Sequence, residues 1–306
     1  MFVKMESGKR VVVLLYVDDM IITRDNNDEI SRLKNDLSIR FEMNNLGKVG
    51  SFLGLEVERS EDGFFISQKG YAKSLLEHFC TGETKEIANS YGALSQVKER
   101  PDIAYPVGVI SHAESKDSSP RCCKEDNALC KGSLEYGLMY KKGGNFLFSG
   151  FSGVDWAGDA NDRHSTTGYC FSMGSTAISW CSKKQPSVAL SNTEAEYIAA
   201  TMAMQECIWL KRLISDIYKK VDYAVPIHCD NESAIKLASN PVFHGRTKHI
   251  EVRHHFVREK VLSQDIKLDS VRTSNQVADL FTKALAESKF ERFRAALGML
   301  DHKHGV

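Results

Sequence analysis

Apolar residues recur with two different periods along this chain, and the switches between them mark its predicted elements. Val11–Tyr16 is a β-rich apolar run, Val17-Asp18-Asp19 interrupts it, and Met20–Thr23 resumes it, which predicts a strand–turn–strand hairpin. From Glu29 to Phe41, apolar residues fall at Ile30, Leu33, Leu37 and Phe41, the spacing of an amphipathic helix. Ser51–Arg59 and Gly63–Gln68 predict two more strands around the Glu61-Asp62-Gly63 turn, and Tyr71–Phe79 predicts a helix. Periodicity then lapses. Residues 81–143 are rich in small and charged side chains and read as a poorly structured connector without a predicted element.

Order returns near Asn145. Phe146–Ser152 predicts a strand, and Gly168–Met173 and Ala177–Ser182 flank Gly174-Ser175 as a second hairpin. A long helix is predicted over Thr193–Lys219, with Leu210, Leu213, Ile214 and Ile217 as its buried stripe. Ile227–Cys229 reads as a short strand ending at Asp230, followed by a helix over Glu232–Ser239 and a break at Asn240-Pro241. Helices over His249–Leu262, Gln276–Leu285 and Phe290–Leu297, with a strand at Ile266–Val271, complete an α/β order.

Length and composition bound this picture. The 306 residues suit one large domain or two of ordinary size, and 42% hydrophobic with 26% charged residues is ordinary for a globular chain. Segment limits of 1–80, 81–143 and 144–300 follow from the pattern. The longest apolar run, Val11–Val17, is far short of the roughly 20 residues that span a bilayer. The N-terminus has no signal-peptide core, so an intracellular chain without a membrane partner is expected.

Forty basic and forty acidic residues cancel, which at first sight argues against a nucleic-acid binder. By segment, the basic and acidic counts are 11 and 13, nine and nine, and 19 and 17, so the third segment carries a small basic excess. The eight cysteines include no CxxC pair. Cys122-Cys123 and Cys130, with His112, form only a weak metal pattern, and free thiols are expected.

Three acids fall at predicted element ends: Asp230 after a strand, Glu196 in the first turns of a helix, and Asp279 near the start of another. Carboxylates converging at such ends would repel one another unless divalent cations neutralised them, and oxygen-rich sites favour Mg²⁺ or Mn²⁺. The alternative is that each acid caps its helix or faces water. Ser191 to Glu194 fits a capping box, as does Thr193 to Glu196, so spacing leaves the division of labour between the two glutamates open.

Longer words carry more. Asp155-Trp-Ala-Gly-Asp, Asp162-Arg-His-Ser-Thr-Thr-Gly-Tyr, Ile178-Ser-Trp-Cys-Ser-Lys-Lys-Gln, Ser191-Asn-Thr-Glu-Ala-Glu-Tyr-Ile-Ala-Ala, Cys229-Asp-Asn-Glu-Ser-Ala-Ile, Asn240-Pro-Val-Phe-His-Gly-Arg-Thr-Lys-His-Ile and Gln276-Val-Ala-Asp-Leu-Phe-Thr-Lys come one after another in order. Through them, residues 150–285 closely resemble the RNase H domain of copia-type LTR retrotransposon Pol polyproteins. The resemblance implies an RNase H-like fold, a mixed five-stranded sheet with flanking helices. It also implies hydrolysis of the RNA strand of an RNA/DNA hybrid by two Mg²⁺ ions (or Mn²⁺) held by four acids. Glu196, Asp230 and Asp279 match three of the acids. The first normally stands in the word Ser-Asp-Ala-Asp-Trp, which here is Ser152-Gly153-Val154-Asp155-Trp156. Glycine at that position removes a shared ligand. Asp155 lies about 6.6 Å further along the same strand face at roughly 3.3 Å per residue, so impaired hydrolysis is expected. A non-catalytic hybrid-binding module and a functionless relic are the alternatives.

The first segment resembles the reverse transcriptase of the same polyprotein. Leu15-Tyr16-Val17-Asp18-Asp19-Met20-Ile21-Ile22 matches its Tyr-x-Asp-Asp motif, and Gly50-Ser-Phe-Leu-Gly-Leu-Glu-Val and Ile66-Ser-Gln-Lys-Gly-Tyr match the region C-terminal to that motif in copia-type palms. Asp18 and Asp19 are therefore candidate metal ligands, with a polar hairpin turn that holds no metal as the expected working state. Only ten residues precede Val11, so a truncated palm fragment lacking the third aspartate, and hence without polymerase activity, is expected.

Candidate nucleic-acid contacts lie in 241–260, where Arg246, Lys248, Arg253, Arg258 and Lys260 outnumber Glu251 and Glu259. His249, Arg253 and Lys260 can share a helical face suited to phosphates. A solvated face balanced by its own acids is the alternative. Trp156, Trp180 and Trp209 read as core residues.

Overall fold

A computed structural model of the chain describes residues 1–6, 9–24, 27–41, 43–74, 100–105, 133–159, 161–239 and 248–302. Contacts divide it into two units, Met1–Gly50 with Trp209–Asp222, and Ser51–Ile208 with Tyr223–Val306.

In the first unit, β1 (Phe2–Glu6), β2 (Lys9–Tyr16) and β3 (Asp19–Arg24) form an antiparallel sheet in sequence order, followed by helix α1 (Asn27–Arg40). The predicted hairpin closes with Tyr16 opposite Asp19. Its turn holds Val17 at φ 48°, a left-handed conformation that costs a β-branched residue roughly 1–2 kcal/mol.

The second unit carries two sheets. Three antiparallel strands, β8 (Phe148–Asp155), β9 (Thr166–Met173) and β10 (Thr176–Lys184), lead into the long helix α2 (Asn192–Ile217). β11 (Val225–Cys229) then pairs parallel with both β8 and β12 (Ile266–Ser270), giving the order β10-β9-β8-β11-β12. Helices α3 (Glu232–Ser239) and α4 (Lys248–Leu262) separate β11 from β12, and α5 (Glu287–Ala296) comes after β12. This is the mixed α/β topology of an RNase H-like fold. Even positions of β8 pack toward α2, where Val154 meets Ala189, Ala195 and Ala199. Odd positions face the other side, where Phe151 packs on a cluster including Cys170, Leu280, Phe281 and Phe293.

The second sheet is antiparallel, β13-β7-β6-β5-β4, from β4 (Ser51–Phe52), β5 (Leu55–Arg59), β6 (Gly63–Ser67), β7 (Tyr136–Lys141) and β13 (Met299–Asp301). It is tied to the first by Tyr140 Oη donating to Ala177 O at 2.7 Å and Thr176 Oγ1 donating to Met139 O at 2.6 Å. β7 lies in the stretch from which no element was expected. Its middle residues are buried on both faces, so alternation is lost. A Cβ on Gly137 would sit 2.6 Å from Ile66 O, so the glycine that weakens the strand pattern is what lets β6 approach. Arg100, also in that stretch, is buried against Asp102 at 2.7 Å and donates to Tyr136 O at 2.7 Å.

Other expectations shift. The helix expected over 276–285 is a five-residue 3₁₀ turn, Val277–Phe281, with every residue buried, leaving no exposed face for an amphipathic helix. α2 buries its N-terminal half most deeply, Ala195 through Cys207, whereas Leu213, Ile214 and Ile217 are half-buried. Of the helix expected from Tyr71, residues 71–74 are helical and the rest lies outside the described residues.

Candidate functional site

At the carboxyl ends of β8 and β11, three elements present acids. α2 starts with Glu194 N donating to Ser191 Oγ at 3.2 Å, while Leu190 N donates to Glu194 Oε2 at 2.9 Å. Glu194 thus serves the cap. Glu196 points elsewhere: it is 5% exposed, and its Oε2 is buried without a hydrogen-bond partner. Burial, with Asp230 and Asp279 nearby, pushes its carboxyl up to about 8, against opposing effects from Lys283 and a Val154 backbone bond. The three acids therefore share one electrostatic environment.

Asp230 comes directly after β11. Gln276 Nε2, on a wholly buried side chain, donates to Asp230 Oδ1 at 3.4 Å and to Ser152 O at 2.9 Å, while its Oε1 accepts from Ala278 N at 3.3 Å. One amide thus ties together the strand next to Gly153, Asp230 and the turn bearing Asp279. That turn buries Asp279 to 2% exposure, where Lys283 Nζ lies 3.0 Å from Oδ1 and Lys289 Nζ 2.7 Å from Oδ2. The sequence reading missed all three partners: Gln276 and Lys283 lie in the word that contains Asp279, and Lys283 has the four-residue spacing of a pair, whereas Lys289 lies outside that word.

Gly153 stands where the resemblance leads one to expect the fourth acid. A Cβ there would meet Ala278 Cβ at 3.5 Å and Gln276 Cγ at 3.6 Å, ordinary contacts, so packing does not demand glycine. Asp155 ends β8 two residues on, and burial raises its carboxyl, with Lys283 lowering it and Asp279 raising it further. Cys229 Sγ, a Glu196 oxygen and an Asp230 oxygen all lie within 4.8 Å of one another. Burial pushes the Cys229 thiol up to about 12.

The donor chemistry fits a divalent cation in part. Glu196 offers an unpartnered oxygen beside Asp230, but lysines already neutralise Asp279 and Gly153 contributes nothing.

Asp18 and Asp19 are exposed at the hairpin of the first unit. Arg246 lies outside the described residues, as do the side chains of Lys248, His249 and Arg253, whose backbone forms part of α4. Cys122, Cys123, Cys130 and His112 also lie outside them. Trp180 packs against the core, but Trp156 and Trp209 are 46% and 55% exposed, not core residues. Trp156 Nε1 donates to Ala189 O at 3.2 Å, so its ring lies over the surface beside β8. Among the described residues, no helix is long and apolar enough to cross a membrane.

A family model described as reverse transcriptase (RNA-dependent DNA polymerase) matches residues 1–91. A retrovirus-related Pol polyprotein from the tobacco (Nicotiana tabacum) transposon TNT 1-94 is 35% identical over 97% of this chain. The chain belongs to the retrovirus-related Pol polyprotein family. A second Pol relative, from transposon RE1 of Arabidopsis thaliana, is 32% identical over 96% of the chain. This Pol-family chain spans about a quarter of the length of these relatives, 25% and 22% respectively. Among solved structures, LC11-RNase H1 in complex with RNA/DNA hybrid is 12% identical, with a TM-score of 0.34 over 44% of this chain and 93% of that one.

Proposed function

We propose that residues 144–300 form a retrotransposon-derived RNase H-like module that binds RNA/DNA hybrids and has lost most of its capacity to hydrolyse them. The observation that carries this reading is the gathering of Glu196, Asp230 and Asp279 beside Gly153, with no acid at the fourth position. Glu196 and Asp230 would hold Mg²⁺ or Mn²⁺, with Asp279 joining once its lysines yield. Such ions would supply an activated water and neutralise charge on the phosphate. The chain's own residues hold the acids in place. Gln276 fixes Asp230 against β8, and Lys283 and Lys289 hold Asp279 by ion pairs within a buried turn. The absent carboxylate leaves no group to bridge two ions, so a single weakly held ion is the expected occupancy. Contacts from Arg246, Lys248, His249 and Arg253 to the hybrid backbone are part of the same proposal. So is the assignment of Asp18 and Asp19 as inherited polymerase ligands.

A salt-dependent gel shift with an RNA/DNA hybrid, run beside a Mg²⁺ and Mn²⁺ cleavage assay, tests the reading. Binding that weakens steeply with salt, without appreciable cleavage, is expected. Efficient cleavage by the wild-type chain, or no hybrid binding at all, contradicts it.

A further inference from the structure

The trio at the end of β11 differs from a set of hard oxygen donors in one respect: one member is a thiol. Cys229 is fully buried and its Sγ lies within 4.8 Å of oxygens of Glu196 and Asp230. The second observation is independent of the cysteine. Glu196, with 95% of its surface buried, has an Oε2 that no protein group satisfies. Leaving such an oxygen dry and unpartnered is unfavourable, and a cation between it and the thiol would satisfy it.

We propose that Cys229, Glu196 and Asp230 form a mononuclear site for a borderline-soft divalent cation, Zn²⁺ in particular, with water as the fourth ligand. A sulfur and an oxygen on one tetrahedral zinc stand about 3.5 Å apart, so only small side-chain adjustments separate the observed trio from that geometry. Mixed sulfur and oxygen donors favour Zn²⁺, whereas Mg²⁺ requires near-octahedral oxygen coordination. Gly153 strengthens the preference, because the missing carboxylate removes an oxygen ligand and leaves the sulfur untouched. On binding, the thiol proton leaves to solvent and an S–Zn bond forms, with no change of oxidation state. The proposal needs only this trio and stands whether or not the chain cleaves hybrids. Zinc would compete with the Mg²⁺ or Mn²⁺ of the proposed function for Glu196 and Asp230.

Co²⁺ serves as a spectroscopic stand-in for zinc. Titrating it into the purified, metal-free full chain should produce a near-ultraviolet sulfur-to-cobalt charge-transfer band that added Zn²⁺ abolishes. Cys229→Ser, close to isosteric, should lose the band and weaken zinc binding by about 10–100-fold or more, the loss typical even of a ligand's supporting partners. Glu196→Gln should keep all eight thiols yet weaken zinc binding comparably, which guards against a Cys229→Ser chain that fails to fold. No band in the wild type, a band retained in Cys229→Ser, or unchanged zinc affinity in Glu196→Gln overturns the proposal. Cleavage is not the readout, so failure of the RNase H reading and failure of the zinc site are separately visible.

Discussion

Gln276 Nε2 donates to Ser152 O at 2.9 Å, a bond between residues 124 positions apart that pins the turn bearing Asp279 to the strand bearing Gly153. The same nitrogen lies 3.4 Å from Asp230 Oδ1, so the amide holds two of the acids in register with β8. Gln276→Ala removes these bonds inside a buried site and should cost about 1–3 kcal/mol, the penalty for leaving buried groups unpaired. Denaturant unfolding measures this. A loss of a few tenths of a kcal/mol would show that water replaces the amide.

The buried carboxyl of Glu196 makes a pH prediction with a definite sign. Its folded-state value is pushed up to about 8 from an ordinary 4.5. Between those values the folded chain holds a proton that the unfolded chain releases. The stabilisation is therefore fully present below about 4.5 and lost as pH rises toward 8. The shift sets an upper bound of roughly 5 kcal/mol on that loss. In EDTA, unfolding midpoints should fall across this window for wild type, and Glu196→Gln should flatten the profile and be the more stable variant above pH 8. A parallel profile for both chains contradicts this assignment.

Arg100 and Asp102 form an ion pair with side chains 4% and 0% exposed, and Arg100 also holds the start of β7 through Tyr136 O. Arg100→Ala should destabilise the second unit by about 3–5 kcal/mol, because Asp102 is left buried without its ion-pair partner. The double variant with Asp102→Ala should recover part of this. Equal or greater loss in the double variant would show that the carbonyl bonds, not the charge pair, dominate.

The strands around Gly174, the long helix and the strand ending at Cys229 were legible because each is local, as were Glu196, Asp230 and Asp279 through the words that contain them. β7 was not, because burial on both faces erases alternation and Gly137 dilutes the strand signal. Nor was the web around the acids. Lys283 stands four residues from Asp279, but Lys289 is ten away and Gln276 reaches a strand with no sequence link to it. Exposed Trp156 and Trp209 defied the expectation of burial, since amphipathic aromatic rings also suit half-covered surfaces.

Gly153 decides the central claim, and the space around it makes the test clean. A Cβ there has no contact closer than 3.5 Å, so Gly153→Asp meets no clash at its Cβ, and the divalent cation in the assay offsets the added charge. Its cleavage of an RNA/DNA hybrid in Mg²⁺ and Mn²⁺, measured beside the wild-type chain at equal concentration, is the most direct measurement. The account predicts turnover at least about 100-fold above wild type, on the scale of losing one group from a catalytic site. Wild-type turnover matching that of Gly153→Asp would contradict it.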